Sequence, residues 1–220
     1  MTDSRRVLAF DTSGPWLGVC LLSGQGIVAE SHVEMPKGQA EALFPALEET
    51  LARAGAEWRD LDGIGVGIGP GNFTGIRISV SAARGLALSL DVPAVGVSIL
   101  EAAAFGLDGP ILSVRDAPRD QVYAQGFRLR RAFGPKLVPL DEVSAEVFDA
   151  NLQCVGAAAE PVAARIGARA LRPLHDPATA IALIAARRLG EPVPPPAPLY
   201  LKPADAAPSR DVPPVILDDA

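Results

Sequence analysis

The residues whose types and spacing could do chemistry fall in three places. Asp11-Thr12-Ser13 follows the short apolar run Val7 to Phe10, so a carboxylate and two hydroxyls stand at a strand end, where they could hold a metal-bound phosphate. Asp, Thr, Ser and Gly are also the ordinary material of a satisfied turn, and from the residues alone that reading takes precedence. The second place is GIGVGIGPGNFTG, residues 63–75, which invites a phosphate cradle. Its spacing fails the test: no glycine stands five residues after another, no Lys-Ser or Lys-Thr follows, and Gly67-Ile68-Gly69-Pro70-Gly71-Asn72 lacks the third glycine of the dinucleotide fingerprint. Third, His32, His175, Cys20 and Cys154 each stand alone, without the spacing of a zinc site, a disulfide framework or a catalytic Cys–His pair. No serine occupies a GxSxG elbow. No catalytic residue and no metal ligand is assigned.

The elements that must position these residues follow from periodicity. Val7–Phe10, Leu17–Leu22 and Ile27–Val33 read as three strands separated by turns, and Gln39–Ala54 as a helix with Leu43, Leu47 and Leu51 at helical spacing and Pro45 framing it. In residues 63–69, Ile64, Val66 and Ile68 alternate with glycines, so a strand here has one branched face and one bare face that something must approach closely. The helix that follows, capped by Asn72 or Thr74, is apolar or small almost all round. Arg77 and Arg84 share a line, and Gly75, Ser79, Ala82, Leu86, Ser89 and Leu90 gather opposite. That helix is either a buried core element or one that rests on its own sheet and turns its small face to another chain. Ala94–Val97 and a short helix through Glu101–Ala104 close the first half.

After Gly109-Pro110 the pattern restarts with Ile111–Val114, Asp116 and Gln121–Phe127. A strand near Leu137-Val138, a helix near Ser144–Asp149, a strand at Leu152–Val155 and a helix over Pro177–Leu189 complete a shorter copy. The expectation is an α/β protein of two related lobes, residues 1–105 and 106–190, with a proline-rich tail, 191–220, that is extended or disordered except where Leu199-Tyr200-Leu201 docks.

The 220 residues are 49% hydrophobic with a formal charge of −6. That suits a soluble globular chain and argues against a free-standing nucleic-acid binder, although Arg128, Arg130 and Arg131 form a local basic cluster. The polar N-terminus leaves no room for an export signal, and Asp91, Pro93 and Glu101 interrupt the longest apolar tract. A reducing cytoplasm and no membrane association are expected.

VLAFDTS at the start, GIGVGIGPGNFTGIRISVSAARGLA in the middle, RDAPRDQVYAQGF after the hinge and LYLKP near the end resemble the TsaB family. The resemblance implies two actin-like lobes of the ASKHA, ribonuclease-H-like kind. It also implies a non-catalytic partner of TsaD, the enzyme that makes threonylcarbamoyladenosine beside the anticodon of tRNA. By that analogy the partner interface includes Asn72, Phe73, Thr74, Gly75, Arg77, Ser79, Ala82 and Leu86, with Leu43, Leu47 and Leu51 contributing. It further implies recruitment of a TsaE-type ATPase, contact with tRNA only through the complex, and a homodimer through the same surface when the partner is absent.

In the catalytic relative a Val-Pro turn leads to an HHxExH metal motif, whereas here Ser98, Ile99 and Ala103 stand at the histidine positions and only Glu101 persists. Gln39, Pro118 and Ala157 also depart from the family pattern, the last weakening any ATP or ADP site between the lobes. Two other readings stay open: an actin-like nucleotide-binding enzyme using Asp11, Thr12 and Ser13, and, with least support, a peptidase.

Overall fold

The computed structural model describes residues 5–24, 26–143 and 151–201. Strands β1 (Arg6–Asp11), β2 (Trp16–Ser23) and β3 (Gly26–Glu34) form an antiparallel meander. Strand β1 then pairs in parallel with β4 (Gly63–Gly67), and β4 with β5 (Ala94–Val97), giving the order β3-β2-β1-β4-β5. Helix α1 (Gln39–Arg53) joins β3 to β4, α2 (Phe73–Leu90) joins β4 to β5, and α3 (Ile99–Ala104) follows β5.

The second sheet repeats this plan. It contains β6 (Ile111–Ala117), β7 (Gln121–Phe127), β8 (Lys136–Pro139), β9 (Gln153–Val155) and β10 (Arg169–Leu171). Its order, β10-β9-β6-β7-β8, has the same succession of antiparallel and parallel pairs. The internal repeat expected from the sequence is therefore a repeat of topology, the two-lobed actin-like arrangement. Helix α4 (Ala159–Ile166) and β10 are absent from the sequence reading: α4 has only eight residues, with Pro161 in its first turn, and β10 is a three-residue edge strand without a buried alternation. The helix expected near Ser144–Asp149 lies outside the described residues.

Chain order and packing part company at α5 (Pro177–Arg188). It follows the second lobe in sequence but packs on the first sheet, with Ala178, Ile181, Ala182 and Ala185 in one cluster with Val7, Ala9 and Cys20. This answers what the bare face of β4 is for. A Cβ at Gly65 would lie 3.1 Å from both Ala185 Cβ and Ile181 Cγ2, and one at Gly63 would lie 2.6 Å from Leu189 Cδ2. Alanines facing glycines let helix and sheet approach closely, so contacts made elsewhere by large side chains are here made by backbone. The opposite face of the sheet carries Leu8, Phe10, Ile64 and Val66 against α1 and α2. The first sheet is thus sandwiched, α1 and α2 on one side and α5 on the other. Helix α3 sits between the lobes, with Ile99 and Ala102 packed in the α5 cluster and Ala104 against Ile111 and Val155.

Beyond α5 the chain runs back over the first lobe. The Leu199 amide donates to the Ile68 carbonyl at 2.8 Å, and Pro196 is buried near Gly96, where a Cβ would lie 3.2 Å from Pro196 Cβ. Among the described residues no helix is long and apolar enough to cross a membrane.

Cys20 and Cys154 are both fully buried, and burial pushes each thiol up to about 11. A thiol reacts as its thiolate, so below that pH the folded chain is expected to leave both unmodified by a disulfide reagent at pH 8. Rapid stoichiometric labelling without denaturant would contradict this placement.

Candidate functional site

The glycine run does cradle something, but it is the chain's own turn. A Cβ at Gly67 would lie 2.0 Å from Asp11 Oδ1, one at Gly71 would lie 2.2 Å from the Ser13 carbonyl oxygen, and one at Gly75 would lie 1.9 Å from the Thr12 carbonyl oxygen. Three glycines spaced by four thus press on three consecutive residues of the β1–β2 turn. The contact is closed by Thr12 Oγ1, which donates to the Gly75 carbonyl at 2.7 Å, and by the Asn72 amide, which donates to the Ser13 carbonyl at 2.8 Å. Gln39 fixes the turn from the other side, its amide nitrogen donating to the carbonyls of Gly14 at 2.7 Å and Trp16 at 2.8 Å.

Asp11, Thr12 and Ser13 are completely buried. The Asp11 carboxylate accepts from the Trp16 indole N–H at 2.7 Å, the Ser13 hydroxyl at 3.1 Å and the Ser13 amide at 3.2 Å. Burial raises the Asp11 pKa above the usual carboxylate value, and the Trp16 bond, the Arg115 charge and the Ser13 bonds only partly oppose this. Arg115, on β6, reaches across from the second lobe: its Nη2 donates to the Ser13 carbonyl at 3.3 Å, and its guanidinium carbon lies 4.9 Å from the centre of the Trp16 ring. Burial pushes its own pKa down, while Asp11 and Asp116 pull it back up.

The Asp11 turn is closed on itself. The polar atoms of Asp11, Thr12 and Ser13 are spent on their own neighbours, and the glycine backbone that would face a phosphate is covered by the turn. Between the lobes lies a cleft of about 420 Å³ whose walls include Trp16, Ile99, Leu100, Ala103, Arg115 and Ala157. Its lining is mostly apolar and includes both Arg115 and Asp116.

A raised folded-state pKa means that the folded chain holds the Asp11 proton to higher pH than the unfolded chain does. Stability therefore falls as pH rises from the ordinary carboxylate value through the folded one. Asp11→Asn should flatten that dependence, because an amide oxygen still accepts from Trp16 without carrying charge. Urea midpoints followed upward from about pH 4 read it, and an unchanged slope in the variant would contradict the assignment.

The residues expected at a partner interface divide between two faces. Leu43, Leu47 and Leu51 of α1 lie inside the first core, at most 3% exposed, so their place at a surface is corrected: helical spacing identified an apolar stripe, and that stripe faces the chain's own sheet. The same holds for much of α2. Gly75, Ser79 and Leu86 are buried, with the Ser79 hydroxyl donating to the Gly67 carbonyl at 3.2 Å, and Ala82 is half-buried against the same core. Most of the small-residue face therefore turns inward, with Ser89 near its end exposed, because only small residues allow α2 to sit close to the glycine strand and the Asp11 turn.

Asn72, Phe73, Thr74 and Arg77 are exposed at the start of α2. Asn72 caps the helix, its Oδ1 accepting from the Gly75 amide at 3.0 Å. The exposed row continues through Ser81, Arg84 and Leu88, which the sequence reading did not single out beyond Arg84. Thr74, Arg77, Ser81, Arg84 and Leu88 recur every three or four residues, the spacing of a helix–helix seam. Beside them Gly85 has open space around it, and Phe44 of α1 is 45% exposed. The signal that would have found this row is the spacing of the polar and odd residues, read as a face in its own right.

At the positions of the relative's histidines, the Ser98 hydroxyl caps α3 by accepting from the Glu101 amide at 3.0 Å, and Ile99 is in the core. Ala103 packs near Ile111, and Glu101 forms an ion pair with Arg188 of α5. Among the described residues no three His, Cys, Asp or Glu side chains gather at metal-binding distance. In the basic cluster, Arg128 donates to the carbonyls of Gly109 and Leu107, so it ties β7 to the hinge.

Comparison with known proteins places the chain. The family model for TsaD, tRNA N6-adenosine threonylcarbamoyltransferase, matches residues 27–174. The chain is 37% identical over 136 residues to the tRNA threonylcarbamoyladenosine biosynthesis protein TsaB of Bacillus subtilis, covering 60% of this chain and 59% of that protein. It is 34% identical over 124 residues to the protein of the same name from Escherichia coli, covering 54% and 53%. The alignments thus span between half and three fifths of these relatives. Among solved structures, YeaZ from Pseudomonas aeruginosa superposes with a TM-score of 0.72 at 28% identity, over 90% of this chain and all of that one. Sequence match and superposition agree, and the chain belongs to the TsaB family.

Proposed function

We propose that this protein is a non-catalytic subunit in the synthesis of threonylcarbamoyladenosine in tRNA, which binds and supports a TsaD-type threonylcarbamoyltransferase through the outward face of α2. One observation carries the reading. The helix is about 27 Å long at 1.5 Å per residue, and beyond Arg77 its outward seam stands open among the described residues, with nothing within 4 Å of a Cβ at Gly85 and Leu88 86% exposed. Small residues at Ser81 and Gly85 let a second helix approach, and Arg77, Arg84 and Leu88 surround the point of closest approach. Phe44 extends the same face onto α1.

In the complete system a TsaE-type ATPase joins the pair, tRNA is held by the assembly rather than by this acidic chain, and the setting is cytoplasmic. Without the partner, two copies pair through the same seam. The buried, internally paired Asp11 turn favours this reading over that of a nucleotide-using enzyme.

The test is reconstitution. Purified TsaD-type and TsaE-type subunits, tRNA and threonylcarbamoyl-AMP should form the modified nucleoside only when this chain is added, and the Asp11→Asn variant should support the reaction as well as the unmodified chain. Equal product without the chain would remove the proposal.

A further inference from the structure

The strap that returns over the first lobe ends on the residues that open α2. Tyr200 stacks on Phe73 with ring centres 5.1 Å apart and planes 28° from parallel. Arg77 Nε donates to the Tyr200 hydroxyl at 2.9 Å, and the Arg77 guanidinium carbon lies 4.0 Å from the centre of the Phe73 ring. The backbone is pinned just upstream by the Leu199–Ile68 hydrogen bond. These contacts order the tail locally but do not bury the cluster: Phe73 remains 53% exposed and Tyr200 45% exposed.

Two half-exposed rings held in one geometry gain by burial against a partner, while the guanidinium stacked on them needs an anionic or polar group of that partner to replace its water. Their rotamers are already fixed, so little side-chain entropy remains to be lost. Tyrosine and arginine are also the side chains that most often carry the binding energy of an interface. The cluster is continuous with the outward seam of α2, since Phe73 and Arg77 belong to both.

A groove of about 730 Å³ opens beside it, walled by the start of α2, by Tyr123 and Arg115 of the second lobe and by Leu201 of the strap. The strap therefore supplies one wall of a surface that neither lobe builds alone.

We propose that the strap is part of the partner-binding face, and that Tyr200, Phe73 and Arg77 form an anchor that receives a carboxylate-bearing helix of the TsaD-type subunit. The inference rests on the reading given under Proposed function and deepens it. The guanidinium of Arg77 uses Nε on Tyr200 and a face on Phe73, which leaves its outer nitrogens for a carboxylate in bidentate contact. Tyr200 acts by stacking and by aiming Arg77.

The test is calorimetric titration of the purified TsaD-type subunit into the full chain and three variants: Tyr200→Ala, Tyr200→Phe and Leu88→Glu. Tyr200→Ala should weaken binding at least about tenfold with an unchanged melting temperature. Tyr200→Phe, which keeps the stack and loses only the hydroxyl, should fall between it and the unmodified chain. If Tyr200→Ala binds within about twofold of the unmodified chain while Leu88→Glu abolishes binding, the helix face stands and the strap is outside it. Tighter binding by Tyr200→Ala would overturn the proposal in the other direction, because the strap would then compete with the partner. No complex with the unmodified chain would remove the underlying reading and this inference together.

Discussion

Replacing Gly75 by alanine is expected to destabilise the protein by about 3 kcal/mol, the upper part of the usual cost of forcing a methyl group into a filled site. The added Cβ would lie 1.9 Å from the Thr12 carbonyl oxygen. That atom is backbone at a closed turn, so it cannot swing aside as the end of a long side chain would. Either α2 lifts from the Asp11 turn, which also breaks the Thr12–Gly75 hydrogen bond, or the turn itself distorts. At about 2–4 °C per kcal/mol for a chain of this size, the melting temperature should drop by roughly 10 °C. Gly85→Ala is the matched control in the same helix: nothing lies within 4 Å of its Cβ position, and there alanine should stabilise by about 0.5–1 kcal/mol through reduced freedom of the unfolded chain. Calorimetry of both variants reads the contrast, and a Gly75→Ala melting temperature within about 2 °C of the unmodified chain would mean that the glycine run is not packed as described.

The second large effect concerns binding without stability. Ser81 is exposed in the middle of the outward seam of α2, between Arg77 and Arg84. Ser81→Arg places a long, charged side chain where a partner helix would approach most closely and adds a third cation to the row. Affinity for the TsaD-type subunit should fall by at least about 100-fold, the size of a hot-spot loss near 3 kcal/mol. The melting temperature of the isolated chain should move by no more than about 2 °C, since a surface substitution of this kind stays within about 0.5 kcal/mol. A charge at Ser79 would be a poor substitute, because that side chain is fully buried and bonded to Gly67. Its loss of binding would report unfolding.

The contrast between Ser79 and Ser81 shows how far the sequence carried. Periodicity found the helices and strands of the first lobe, and the restart of the pattern at Ile111 found the second. It also found that β4 has a bare face. It could not say what covers that face, because α5 lies more than a hundred residues away in the chain and reads equally well as a helix of the second lobe. Nor could it orient α2. A helix that is small or apolar nearly all round gives little contrast between its faces and leaves both a core and a partner open to its small side, whose smallness in fact serves the contact with Gly67 and the Asp11 turn. The Leu43–Leu47–Leu51 stripe was misplaced for a related reason, since an apolar stripe marks burial without naming the surface that buries it. The glycine spacing departs from the standard phosphate loops. That the same glycines instead hold Asp11, Thr12 and Ser13 required coordinates, because the contact joins segments more than fifty residues apart.

The claim that the outward face of α2 meets the catalytic subunit is tested most directly by a thiol placed on it. In Ser81→Cys the introduced side chain is the exposed cysteine, while Cys20 and Cys154 are buried with thiols held up to about 11. Alkylation at pH 8 can therefore be followed at a single position, with and without a saturating amount of the TsaD-type subunit. The account predicts rapid modification of the free chain and at least tenfold slower modification in the complex, roughly the protection given by burial worth 1.4 kcal/mol or more. Equal rates in a complex shown by light scattering to be fully formed would contradict it.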